Sequence, residues 1–305
     1  MSSVARDFNE AIRLDPKYAL AYYNRGNEYR AKDDYDAAIA DYNEAIRLDP
    51  KYAFAYNNRG EAYRLKGDLD HAIVDYNEAL RLHPKYAFAY NNRGIAYAGK
   101  GDTDRAIADY NEAIRLDPKY RNAHNNRGNA YRANDDYDSA MADYNEAIRL
   151  DPKYALAYEN RGIANLYSGA LPKALADFNQ ASALNPKRAY AALWLDFVSK
   201  RSNLSSRLAD MTKQIDMTKW PAPVIRLYLD QLTPEAVLAA ADDADANTKK
   251  GQVCEANFYT GELALQQGNK DEAARLFGLA AMDCLQSFNE YVGAIAELRA
   301  LGVTP

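Results

Sequence analysis

Ala53–Tyr86 reads AFAYNNRGEAYRLKGDLDHAIVDYNEALRLHPKY, and the next stretch, Ala87–Tyr120, reads AFAYNNRGIAYAGKGDTDRAIADYNEAIRLDPKY. The two agree almost place by place, and the frame continues on either side. Pro16, Pro50, Pro84, Pro118, Pro152 and Pro186 fall 34 residues apart. A fixed period of this length marks one supersecondary unit copied and stacked. Each copy holds two helical stretches. In Ala53–Tyr86 the first, helix A, sets Ala55, Tyr56, Gly60 and Tyr63 at near-helical spacing. Gly60 costs about 1 kcal/mol of helix propensity, and the expected return is close backbone approach by the paired helix. Gly67 breaks the chain. At the same place Gly101 and Gly169 suit a turn that needs positive φ, and Asp33 and Asp135 tolerate that region. Asp68 and Asp70 open helix B and Arg81 sits in its last turn, each favourable to the helix dipole; Pro84 prevents continuation. Ala72, Tyr76 and Ala79 are expected to face helix A. No single copy can bury its apolar face alone, so neighbours must stack.

The repeat accounts for the composition. The chain of 305 residues has 25 Tyr against 8 Phe and 2 Trp, and 21 of the Tyr precede residue 170, so the excess is a packing motif copied with the repeat. With 48% apolar and 27% charged residues the chain is a folded one. A net charge of −5 argues against a general nucleic-acid binder, which needs a basic surplus. Three His and two Cys exclude a multi-metal or disulfide-dense scaffold. His71, His83 and His124 occupy three different repeat places with no shared ligand spacing. There is no phosphate-cradling glycine loop and no nucleophile elbow, so no catalytic residue, metal or cofactor is expected. No apolar run of about 18 residues is present, and the N-terminus lacks an apolar signal region.

The pattern resembles the tetratricopeptide (TPR) repeat: Tyr56, Gly60, Tyr63, Ala72, Tyr76 and Pro84 stand at its signature places. The likeness covers residues 1–188, a half repeat and then five repeats starting at Ala19, Ala53, Ala87, Arg121 and Ala155. It implies an all-α fold, a right-handed superhelical solenoid of antiparallel helix pairs. The expected organisation is a half repeat over 1–18 (helix B and linker), five repeats over 19–188, a divergent helical region over 189–250, and a TPR-like hairpin with a capping helix over 251–305. The resemblance further implies a concave groove, lined mainly by helix A, that binds peptide segments.

Numbering places within a repeat from its first residue, the sixth holds Asn24, Asn58, Asn92, Asn126 and Asn160, and the fifth holds Tyr23, Asn57, Asn91, Asn125 and Glu159. In TPR folds these places tend to point into the groove. A carboxamide offers donors and acceptors, so such a ladder could grip the main chain of an extended peptide, or could simply bridge adjacent helices. The second place holds Leu20, Phe54, Phe88, Asn122 and Leu156, which does not match a carboxylate clamp; Phe54 and Phe88 suggest apolar pockets on the groove wall instead. The seventh place is Arg25, Arg59, Arg93, Arg127 and Arg161, and helix B supplies Asp41, Asp75, Asp109, Asp143 and Asp177. An Arg–Asp pair inside each repeat is the favoured reading; an arginine row that reads an acidic ligand is the alternative.

After Pro186 the strict repeat fades. Ala189–Ser202 is expected to be helical, Trp220-Pro-Ala-Pro to break the chain, Val224–Leu232 to form a short helix, and Thr233-Pro234-Glu235 to start another. Ala244–Lys250 is expected to be a polar link. Residues 252–284 recover a TPR-like pair through Phe258, Gly261, Gly268, Ala273, Phe277 and Ala280. A last helix, about 286–301, would place Phe288, Tyr291, Val292, Ile295 and Leu298 on one face and Glu290, Glu297 and Arg299 on the other. The order Trp220-Pro-x-Pro-Val-Ile, Thr-Pro-Glu, Cys-Glu-Ala-x-Phe-Tyr-x-Gly-Glu and Ala-x-x-Leu-Phe resembles the C-terminal part of the periplasmic lipoprotein NlpI family of Gram-negative bacteria. That resemblance implies an envelope adaptor that binds a processing protease or peptidoglycan hydrolases and often dimerises, so a homodimer is a possible assembly. Cys254 and Cys284 fall at the adjoining ends of an antiparallel hairpin, where a disulfide is geometrically reasonable. Two buried thiols acting as small apolar residues are the alternative. A disulfide would favour an oxidising compartment. The expected function is a non-enzymatic adaptor for a protein or peptide partner in the periplasm. The competing readings are a cytoplasmic TPR scaffold and a regulatory fragment of a larger enzyme, the latter because the chain begins within a helix B.

Overall fold

A computed structural model gives the fold; it describes residues 3–284 and 288–304, with side chains from residue 8 onward. Among the described residues all regular structure is helical. The chain forms two compact units, Met1–Ala123 and His124–Pro305.

The first unit holds α1 (Ser3–Leu14), α2 (Ala19–Arg30), α3 (Tyr35–Leu48), α4 (Ala53–Leu65), α5 (Leu69–Leu82), α6 (Ala87–Gly99) and α7 (Thr103–Leu116). Each helix A packs on its own helix B and that B on the next A, the stacking of a TPR solenoid. The local chemistry repeats. Asp34, Asp68 and Asp102 cap helix B by accepting from the amide three residues on, and the turn before each is made in the left-handed region by Asp33, Gly67 and Gly101. Tyr42, Tyr76 and Tyr110 of helix B are almost wholly buried. Close approach at Gly60 is real, but its main partner is a side chain rather than the paired backbone. A Cβ there would lie 2.9 Å from the Tyr76 ring and 3.1 Å from the Ala72 carbonyl oxygen. The glycine therefore exists to seat the tyrosine.

The second unit holds most of α8 (Arg121–Ala133), then α9 (Tyr137–Leu150), α10 (Ala155–Tyr167), α11 (Leu171–Leu184), α12 (Ala189–Arg201), α13 (Leu208–Met211), α14 (Ala222–Tyr228), α15 (Pro234–Ala240), α16 (Ala246–Gln266), α17 (Lys270–Asp283) and α18 (Asn289–Ala300). Its core centres on Trp194, which stacks on Phe178 with centroids 6.1 Å apart and meets Phe197, Phe258 and Tyr259 at steeper angles. Three expectations are corrected here. The helix expected over 224–232 is α14, which starts at Ala222 with Pro223 in its first turn and is ended by Asp230 at φ 56°. The expected link 244–250 is mostly helix, because Asp245 caps the Thr248 amide at 2.7 Å and starts α16 at Ala246. The last helix begins at Asn289; residues 285–287 lie outside those described. Its acids also turn the other way. Glu290 and Glu297 are buried while Arg299 is exposed, because small Gly293 and Ala294 let that side of α18 press onto α10 and α16.

Candidate functional site

In the first unit helix A carries the expected row. Asn58 donates from Nδ2 to the Tyr23 hydroxyl (2.9 Å) and to Asn27 Oδ1 (2.8 Å), and accepts from Asn57 Nδ2 (3.0 Å). Asn92 donates to Asn57 Oδ1 at 3.2 Å and accepts from Asn91 at 3.4 Å. The carboxamides thus bridge neighbouring repeats diagonally. The fifth-place Asn57 and Asn91 are buried struts, while sixth-place Asn24, Asn58 and Asn92 remain half-buried. A carboxamide has two donor hydrogens and two acceptor lone pairs, so the Asn58 and Asn92 oxygens, each accepting one hydrogen bond among the described residues, keep acceptor capacity. Beside them Leu20, Phe54 and Phe88 are 41%, 44% and 55% exposed. Phe54 packs edge-on against Tyr86 (5.1 Å) and Phe88 tilts against Tyr120 (4.8 Å), so both rings are held in place yet open to solvent.

In the second unit the row is withdrawn only in part. Asn160 and Asn125 are buried, with Asn160 donating to Asn125 Oδ1 at 2.9 Å, while Asn126 is half-buried. Glu159, at the fifth place, is clamped by Arg188 at 2.5 and 2.9 Å.

The arginines pair within their repeats. Arg25, Arg59, Arg93, Arg127 and Arg161 each grip Asp41, Asp75, Asp109, Asp143 and Asp177 in turn through two nitrogens, at 2.6–3.2 Å. A third partner escaped the sequence reading. The free Nη1 of Arg25, Arg59, Arg93 and Arg161 reaches back to Asn9, Asn43, Asn77 and Asn145 of the preceding helix B, at 2.6–2.7 Å. Each of these arginines therefore bolts two consecutive B helices together. The signal was visible, since these Asn recur with the same period as the Asp two places before them. Also missed were Asn27, which accepts from the Tyr42 hydroxyl at 2.7 Å, and the Glu61–Arg64–Tyr76 set on the same face.

Models of the tetratricopeptide repeat match residues 8–40, 26–67, 60–101 and 91–155. Residues 8–155 are TPR repeats. The fold has solved counterparts. A tetratricopeptide repeat protein from Parabacteroides merdae is 19% identical over 87% of this chain and 92% of that one, with TM-score 0.57. PilW, described as a widely conserved type IV pilus biogenesis factor, is 22% identical over 64% and 91%, with TM-score 0.58. A thermophilic TPR protein from Thermus thermophilus is 22% identical over 59% and 98%, with TM-score 0.53. At these identities the likeness bears on the fold alone. Among the described residues, no helix is long and apolar enough to cross a membrane.

Outside the matched TPR segment, Cys254 in α16 and Cys284 at the end of α17 form a disulfide, Cα atoms 5.0 Å apart and both sulfurs within the core. It closes a separation of 30 residues, for which about 3.6 kcal/mol of stabilisation is expected from chain entropy. Reduction should lower the urea midpoint accordingly. Intact mass should rise by two hydrogens on reduction; no mass change would show that the thiols are unjoined in the native protein.

Proposed function

We propose that the protein is a non-enzymatic adaptor that binds an extended peptide segment along the helix-A face of its first unit. The observation that carries this reading is the row of half-buried carboxamides, pre-oriented by Tyr23, Asn27 and the strut asparagines, running beside the exposed Leu20, Phe54 and Phe88. Carboxamide oxygens suit a peptide main chain, and the apolar row suits its side chains. The disulfide supports an oxidising compartment, and the C-terminal likeness to the NlpI family supports the bacterial cell envelope, with a protease or peptidoglycan hydrolase as partner and a homodimer as a possible assembly.

The probe is a displayed library of unstructured peptides selected on the full chain. Enriched sequences should lose about tenfold or more in affinity for Phe54→Ala/Phe88→Ala, equivalent to about 1.4 kcal/mol, while the urea midpoint barely changes because both rings are exposed. Asn58→Ala/Asn92→Ala should weaken binding too, with about 1 kcal/mol of stability lost per strut bond broken. Absence of enrichment, or enriched peptides indifferent to both variants, would sink the reading.

A further inference from the structure

The face that helix A offers in the second unit is already covered, and the cover is the chain's own α18. Arg132 of α8 donates to Asn289 at 2.5 Å. Gly293 presses so closely that a Cβ would lie 2.6 Å from the Tyr167 hydroxyl of α10 and 2.8 Å from Phe258 of α16. Arg299 reaches Asp135 at 2.7 Å.

The contact is built from facing acids. Glu255 and Glu262 stand seven residues apart on α16, and Glu290 and Glu297 seven apart on α18, all four buried. Glu262 and Glu297 share a single nitrogen, Arg201 Nη2, at 3.2 and 2.6 Å. Glu255 and Glu290 are supplied mainly by neutral donors: Trp220 Nε1 (2.7 Å) and the Tyr190 hydroxyl (2.9 Å) to Glu255, and the Tyr259 hydroxyl (3.1 Å) to Glu290. The other charged groups around α18 are largely committed. Glu159 of α10 is held by Arg188, and Arg275 of α17 by Glu272. Arg132 also lies near Glu290 and favours its charged form. Four buried carboxyls thus meet too few cations to be ionised together.

We propose that α18 is a proton-controlled latch on the helix-A face of the second unit, seated while Glu255, Glu262 and Glu290 hold protons and released, uncovering that face, when they ionise. The idea goes beyond peptide binding by the first unit and does not depend on it. Burial, and then the neighbouring Glu290, push the Glu255 carboxyl up to about 8. Burial, and then Glu297, raise Glu262, and burial raises Glu290. A carboxyl raised in the docked state binds more protons there than when released. Docking is therefore fully favoured below the ordinary carboxylate range and weakens as pH rises through about 8. A cavity of about 700 Å³ lined by Lys200, Arg201, Glu262 and Glu297 adjoins the second pair and gives water a route to it. The seated latch is also imperfect: among the described residues Arg132 Nη1, the Tyr167 hydroxyl and Glu262 Oε1 are buried without a hydrogen-bond partner, each a cost of the docked state.

Amide hydrogen exchange of the full chain, corrected for the intrinsic pH dependence of exchange, tests this. Protection of residues 289–300 should fall about tenfold or more between about pH 6 and about pH 9, with protection of α3, α5 and α7 unchanged. Glu255→Gln/Glu290→Gln, which keeps shape without charge, should flatten that fall. Constant protection of α18 across the range in the wild type, or an undiminished fall in the folded Gln variant, would overturn the latch. If the variant fails to fold, the wild-type profile decides alone.

Discussion

Arg59→Met is expected to destabilise the protein by about 3–5 kcal/mol, the cost of leaving a buried carboxylate without its cation. Asp75 is 3% exposed and both its oxygens are taken by Arg59, at 2.7 and 2.6 Å. The same guanidinium holds Asn43 of the preceding helix B and lies 5.5 Å from the Tyr56 ring centroid, so one substitution loosens two consecutive repeats. Burial already pushes the Asp75 carboxyl up even with Arg59 present. Without the arginine that push is larger, so the variant should lose less as pH falls towards about 4 and Asp75 takes up a proton. Arg59→Met/Asp75→Leu should recover most of the loss, since a well-packed apolar pair often matches a buried ion pair. Urea titrations of the three proteins followed by circular dichroism measure all of this. A loss below about 1 kcal/mol for the single variant would mean that the pair behaves as a solvated surface bridge.

Tyr76→Ala is expected to cost a similar amount, about 3–5 kcal/mol, through lost burial and the cavity left behind. The ring is fully buried, fills the hollow over Gly60 and touches Ala72 and Ala96, the latter from the next repeat. Its hydroxyl matters far less. It donates to Glu61 at 3.1 Å, but Glu61 is also held by Arg64 at 2.8 and 2.9 Å, so Tyr76→Phe orphans nothing and should cost about 1 kcal/mol. Phe178 and Phe277 stand at the corresponding places of α11 and α17 over Gly162 and Gly261, natural instances of the same substitution. A Tyr76→Phe variant as damaged as Tyr76→Ala would shift the weight from packing to the hydroxyl.

The repeat frame was legible because its causes are local. Helix starts and left-handed turns lie within one period, so two adjacent copies are enough to read them; that Gly60 seats the Tyr76 ring rather than the paired backbone emerged only from the packing. The Arg–Asp pairing was legible for the same reason. The Asn57–Asn58–Asn92 network was half legible: the residues were found, but whether their carboxamides bridge helices or greet a ligand depends on the spacing of adjacent A helices, which no single repeat encodes. In the structure they bridge, and the sixth-place oxygens keep capacity besides.

The sequence by itself determined an all-helical stack of 34-residue pairs and the packing tyrosines copied with it, and it placed Cys254 and Cys284 at adjoining hairpin ends, where the structure joins them. Only the tertiary structure decided the fate of α18. Its apolar stripe, Tyr291, Val292, Ile295 and Leu298, points to one inner face, with Glu290 and Glu297 outside. The chain instead brings Tyr259, Arg201 and Arg132 from far along the sequence to meet those acids, and the smallness of Gly293 and Ala294 lets that side pack. Amphipathic pattern measures the preference of a helix for water or oil; it carries no information about hydrogen-bond partners that distant segments supply.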